Sequence, residues 1–195
     1  MRTHQLWLKQ ITKLGFLLMM GVSMSACGFG SEKWKEEVQL GDGRVIVVER
    51  EMLTEAGGDE WAINRSGIKP KVYRIRFEHP GDAGKMVEWR STKKSPHTWP
   101  ELPLILDMES GQPVVFSIVA ISSGCEIYSK YVYQNGAWAE ETLSEKFEKQ
   151  LTNLFLKVGM GMPSFVNIET KRKINSSVDY TRSLKQVGPK LKVCG

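Results

Sequence analysis

The chain has little of what most catalytic chemistry requires. Its 195 residues hold three histidines and three cysteines. No histidine has another three to five residues on, the spacing that turns two imidazoles onto one metal. No C-x-x-C occurs, so neither a thioredoxin-like redox pair nor a zinc knuckle is indicated. G-x-S-x-G is absent, and with it the nucleophile elbow of the α/β-hydrolases. Gly159-Met160-Gly161-Met162-Pro163 lacks the Lys-Ser/Thr of a phosphate loop, and its glycines and proline suit a chain that is ending a helix. His97, Asp107 and Ser117 have the residue types of a triad, at separations that carry no information. Carboxylates are scattered and define no catalytic pair. The composition names no cofactor and no metal, so none is expected, and a non-enzymatic role is the better expectation.

The first acidic residue is Glu32, while Arg2, Lys9 and Lys13 precede it. Leu14 to Val22 (LGFLLMMGV) is an apolar run of nine. That is far short of the ~20 residues that span a bilayer as a helix. A basic start, a short apolar stretch and small residues after it describe a secretory signal over residues 1–26. Its loss takes the formal charge from +5 to +2, which gives nucleic-acid binding no support.

Met24-Ser25-Ala26-Cys27 resembles the lipobox of bacterial lipoproteins, with Met24 where that family usually has Leu. The resemblance implies cleavage before Cys27 and a diacylglycerol on its sulfur. Two or three acyl chains make attachment to the membrane effectively stable, at ~0.8 kcal/mol per buried methylene. Gly28, where Asp would favour the inner membrane, implies the outer membrane and a domain facing the periplasm. Residues 27–33 would then be the lipidated cysteine and a short tether, and 34–195 a single domain.

Cys125 and Cys194 remain. An even pair in an oxidising compartment is most simply a disulfide, with two unpaired buried thiols as the alternative. A bridge closing so long a loop stabilises by roughly 4–5 kcal/mol in the chain-entropy model.

The mature chain reads as successive hairpins. Trp34–Leu40 meets Arg44–Arg50 across Gly41-Asp42-Gly43, and Tyr73, Ile75 and Phe77 alternate with Arg74 and Arg76. Val87 and Trp89 return after His79–Gly84. Leu104–Met108 and Val114–Ile121 flank a turn, and the second run is apolar enough to be central and covered on both faces. Ile127–Gln134 and Ala137–Glu141 are joined by Asn135-Gly136, a type I′ signal. These features predict a mainly β fold: an antiparallel meander of about eight strands forming a sandwich or partly closed barrel. One helix is predicted over 143–158, from capping-box spacing at Thr142 and Glu145 and a stripe of Phe147, Leu151, Leu154, Phe155 and Val158. Phe165–Glu169 could add a strand, and residues 54–69 and 91–101 are read as the longest polar connections.

Two constellations suit binding. Arg90, Lys93, Lys94, His97 and Trp99 mix cations with an aromatic around one long connection, which suits an anionic glycan, a phospholipid headgroup or an acidic protein patch, while a solvated loop with Trp99 anchoring it to the core is the plainer reading. Lys171 to Lys192 carries seven basic residues against Asp179 and reads as a solvated tail or a membrane-facing segment. Tyr128, Tyr131, Tyr133 and Trp138 crowd the last hairpin, where cross-strand packing explains them. Location and exclusion together point to an outer-membrane lipoprotein that binds another envelope component, most simply a protein, with toxin immunity as one form of that role. An envelope hydrolase on peptidoglycan or lipid, or a lipid or lipopolysaccharide carrier, are the other readings.

Overall fold

Turn chemistry sets where the strands reverse. Asn135 and Gly136 have φ of 52° and 84°, the left-handed pair that a type I′ turn demands. Ser110 and Gly111 repeat it at 49° and 80°. At the first hairpin Asp42 accepts the Arg44 amide at 3.0 Å and its guanidinium at 2.7 Å.

The structure, a computed structural model, describes residues 30–57, 67–96, 99–121, 125–141, 143, 150–159, 161–175 and 186–187. Eight strands form the body: β1 Ser31–Gln39, β2 Val45–Ala56, β3 Ile68–Glu78, β4 Met86–Arg90, β5 Leu102–Glu109, β6 Gln112–Ile121, β7 Cys125–Gln134 and β8 Ala137–Glu141. Short pieces follow: β9 Gln150–Leu151, β10 Phe165–Val166, helix α1 Ile168–Asn175 and β11 Gln186–Val187. One sheet has the order β10-β1-β2-β3-β4, the other β5-β6-β7-β8, and β9 pairs with β11. All pairings in the two sheets are antiparallel except β1 with β10. The fold is therefore mainly β, two packed sheets in a sandwich, with no closed barrel among the described residues.

Alternation explains the packing of the first sheet. Trp34, Glu36 and Val38 of β1, Val48, Arg50 and Met52 of β2, Tyr73, Ile75 and Phe77 of β3, and Val87 and Trp89 of β4 point inward and are buried. Their neighbours along each strand form the outer face. In β6, every residue from Val114 to Val119 is buried, as a central strand covered on both faces should be.

The sheets are sewn together along two seams. Trp138 of β8 donates its indole N–H to the Glu88 carbonyl of β4 at 2.7 Å. On the other side, Asp107 of β5 accepts the Gly41 amide at 2.8 Å. A Cβ on Gly41 would stand 2.6 Å from Asp107 Oδ2, so any larger residue there would have to displace the Asp107 carboxylate. Beside it, Asn153 bridges the two sheets: its amide nitrogen donates to the Gln39 carbonyl at 3.0 Å and the Leu106 carbonyl at 2.8 Å, and its oxygen accepts the Leu106 amide.

That last contact corrects the expected helix at 143–158. Residues 150–158 are not helical: β9 is a strand, and the chain then runs as an irregular strap along β5. Leu154, Phe155 and Leu156 are all buried. Three consecutive buried residues suit an extended segment lying across a seam, whereas a helix would turn one of them to solvent. Residues 144–149 lie outside the described set. The described helix is α1, further on, where Asn167 Oδ1 caps the Thr170 amide at 2.8 Å. β2 and β3 also extend to Ala56 and from Ile68, into what reads as polar connection.

Candidate functional site

The residues of the predicted binding loop do not converge. Arg90 ends β4 and is exposed on the outer face; Lys94 is exposed on the connection that follows. Lys93 is committed elsewhere, donating to Ser129 Oγ at 2.9 Å and pairing with Glu140. The Trp99 amide bonds Ser95 Oγ at 3.1 Å, and Ser95 N donates to the Trp99 carbonyl at 2.8 Å, which closes the loop on itself. His97 lies outside the described residues, as do Cys27 and Cys194. Cys125 opens β7.

The anchor of this loop is Glu101, which no motif or spacing singles out. It is fully buried. One carboxylate oxygen accepts the amides of Thr92 and Lys93 at 2.7 and 3.1 Å; the other accepts Ser117 Oγ at 2.7 Å and the Tyr131 hydroxyl at 2.8 Å. Burial, with the Glu101 charge adding to it, pushes the Tyr131 hydroxyl well above the usual phenol range. Tyr131 also packs edge-on to Trp89. Every lone pair that could act as a base is engaged, so this cluster fastens the 91–101 connection to β6 and β7. Ser117 and Asp107 belong to separate networks and form no catalytic pair.

A second buried cluster fastens the C-terminal segment. Glu36 is fully buried and pairs with Arg50, while Lys171 of α1 reaches the other carboxylate oxygen at 3.2 Å. The Phe155 amide of the strap donates to that same oxygen at 2.8 Å, and Lys171 also donates to the Glu37 carbonyl. Burial pulls the Lys171 ammonium below its usual range, with Glu36 opposing. The Arg50 guanidinium lies over the Trp34 ring at 5.1 Å, a cation–π contact. Its Nε and Nη2, and Trp34 Nε1, are buried without hydrogen-bond partners among the described residues. Lys171 is thus a core lysine, which corrects its reading as the start of a solvated basic tail.

The outer face of the five-stranded sheet carries an ordered set of charges. Strand register arranges the charges of its middle stretch in three rows. Lys33, Glu51, Arg74 and Arg90 stand side by side in the first, Lys35, Glu49, Arg76 and Glu88 in the second. In the third, Glu37 pairs with Val47 and Glu78 with Met86. Within the first row Glu51 is shared by Lys33 at 3.3 Å and Arg74 at 2.9 Å. In the second, Lys35–Glu49 and Arg76–Glu88 pair at 3.2 and 2.6 Å, and the bond to Glu88 holds the Arg76 guanidinium above its usual range. The first two rows, Arg90 apart, line a trough of about 470 Å³, with Ser164 at its β1 end. Phe165, beside Lys35, is 47% exposed, and Val45, Val47 and Met86 are exposed by half or more at the far end. Ion pairs this open to water add little to stability. The alternation of apolar and charged residues in β1 to β4 foreshadows this face, yet the register that orders its charges is visible only once the strands pair.

Among the described residues no three His, Cys, Asp or Glu side chains gather where they could hold a metal ion, and no helix is long and apolar enough to cross a membrane. The class that fold and surface define is a two-sheet β-sandwich with one ordered, mixed-charge face. Comparison of the chain with protein-family models, curated proteins and solved structures finds no match in any of the three.

Proposed function

We propose that the protein is a lipid-anchored component of the bacterial outer membrane, facing the periplasm, whose sandwich is a non-enzymatic binding module for another envelope protein. Cys27 carries the anchor, and the outer face of the five-stranded sheet carries the recognition. The observation that supports this most is the pairing of a charge-ordered trough with a rim of exposed Val45, Val47, Met86 and Phe165 on one sheet face. Protein interfaces combine apolar contact with charges that set register and reject wrong partners. Immunity to a periplasmic toxin is one form such a role can take, since an antidote needs only a stable fold and a complementary surface.

The other readings fit less well. A hydrolase needs a base or nucleophile open to substrate, while Glu36 and Glu101 spend both carboxylate oxygens on buried donors. A lipid carrier needs space between its sheets, and here that space holds Val38, Val48, Ile75, Phe77, Trp89 and Leu104.

Isolation of the lipidated protein from membranes at native expression tests the proposal. A stoichiometric protein partner should be recovered with the wild type and lost with Arg76→Glu, which turns the second row from balanced to acidic. Recovery of no partner, or equal recovery with both, would contradict it.

A further inference from the structure

The point where the chain enters the domain and the charge gradient of the outer face coincide. The Gly30 carbonyl accepts both the Thr54 amide at 3.1 Å and the Thr54 hydroxyl at 2.6 Å, so the start of β1 is fixed to β2. Ser31 stands opposite Leu53, and Leu53 opposite Val72. Tyr73 and Ser91 exchange two hydrogen bonds, each at 3.0 Å. The beginning of β1 and the end of β4 therefore share one pole of the sandwich.

That pole is basic. The four-strand row nearest it sets Lys33, Arg74 and Arg90 against the single carboxylate of Glu51, and further along β2 and β3 Glu55 is shared by Lys69 and Lys71. Exposed Lys94 follows on the adjoining connection. The middle row is balanced, and the third has Glu37 and Glu78 with Val47 and Met86 and no cation; beyond it Arg44 pairs with Asp42 and Lys85 with Asp82. Gly30 lies three positions after Cys27, about 10 Å at full extension. A lipid on Cys27 would hold the basic pole, and not the acidic one, within a Debye length of the membrane.

We propose that this pole rests on anionic phospholipid headgroups of the leaflet that holds the Cys27 acyl chains, so that the strands stand away from the membrane and the apolar, acidic end of the outer face is presented outward. The inference rests on the reading of Cys27 as lipidated. The acyl chains supply attachment; the cations set posture, because on this face they outnumber carboxylates only near the Cys27 end, while Arg44 and Lys85 at the other end are paired with Asp42 and Asp82. A domain standing this way offers its trough at a fixed height and leaves Val45, Val47 and Met86 clear of lipid.

The mature lipoprotein, purified from membranes, is placed in nanodiscs of phosphatidylcholine with or without phosphatidylglycerol, and lysine acetylation is read by mass spectrometry. Lys94 should be shielded several-fold in the discs that contain phosphatidylglycerol. Lys85, on the β3–β4 connection at the far pole, should react equally in both. Arg90→Glu should return Lys94 to its reactivity in phosphatidylcholine. An acylated Cys27 peptide together with a Lys94 equally reactive in both lipids would overturn the orientation alone, as would shielding of Lys85. A Cys27 peptide without acyl chains would overturn the anchor and the orientation with it.

Discussion

Removing Glu36 should show that the buried triad, and not the local backbone, holds the strap and α1 to the sandwich. Glu36→Ala leaves Arg50 and Lys171 as uncompensated charges in a site where all three residues are buried. Breaking a buried ion pair by deleting one partner costs about 3–5 kcal/mol, and the orphaned Phe155 amide adds about 1–3 kcal/mol. The sum approaches the ~5–15 kcal/mol total stability of a domain this size. In melting temperature it amounts to roughly 2–4 °C per kcal/mol. Replacing the set tells the other half. With Glu36→Gln, Arg50→Met and Lys171→Met together, the Phe155 amide keeps an acceptor and no charge stays buried, and apolar substitution of such triads is often neutral or stabilising. Urea unfolding of the protein lacking its signal segment measures both. Glu36→Ala should lose about 4 kcal/mol or more, and the triple variant should stay within ~2 kcal/mol of the wild type. A loss under ~1 kcal/mol for the single variant, or equal losses for both, would refute the buried-triad reasoning.

Gly41→Ala should destabilise by about 1–3 kcal/mol, because the new methyl meets an Asp107 carboxylate already tied to the Gly41 and Met108 amides; thermal melts check it, and an unchanged midpoint would mean the seam opens freely. Tyr131 has its proton affinity raised in the fold. Its contribution is therefore complete below the unfolded value of ~10 and lost as pH rises beyond it. Lys171, shifted the other way, gains stability as pH rises toward its unfolded value, so the comparison is with Tyr131→Phe, which should abolish the alkaline loss. Cys125 and Cys194 should form a disulfide: both thiols should resist alkylation in protein taken from the periplasm without reductant, and free alkylation of both would remove the bridge.

The eight main strands were legible because their turns and their alternation agree. Asn135-Gly136 announces a type I′ turn and adopts one, and Ile75 and Phe77 face the core while Arg74 and Arg76 do not. The strap was misread for a physical reason. Leu151, Leu154, Phe155 and Val158 fall at helical spacing, but Leu156 is buried too, and two sheet edges demanding an apolar cover override the period. The buried charges left a faint signal. Glu36 and Arg50 occupy inward positions of two alternating strands, between Trp34 and Val38 and between Val48 and Met52, and charges there need partners. Lys171 gave no such sign, since α1 is rich in charge and its contact with Glu36 spans 135 positions.

Photo-cross-linking in living cells tests most directly whether the outer face of the first sheet is an interface. A photoreactive residue in place of Glu49 or Arg76 on that face should give one discrete adduct with another envelope protein, and the same residue in place of exposed Gln112 in the second sheet should give none. No adduct from Glu49 and Arg76, or the same adduct from all three positions, would contradict the proposed interface.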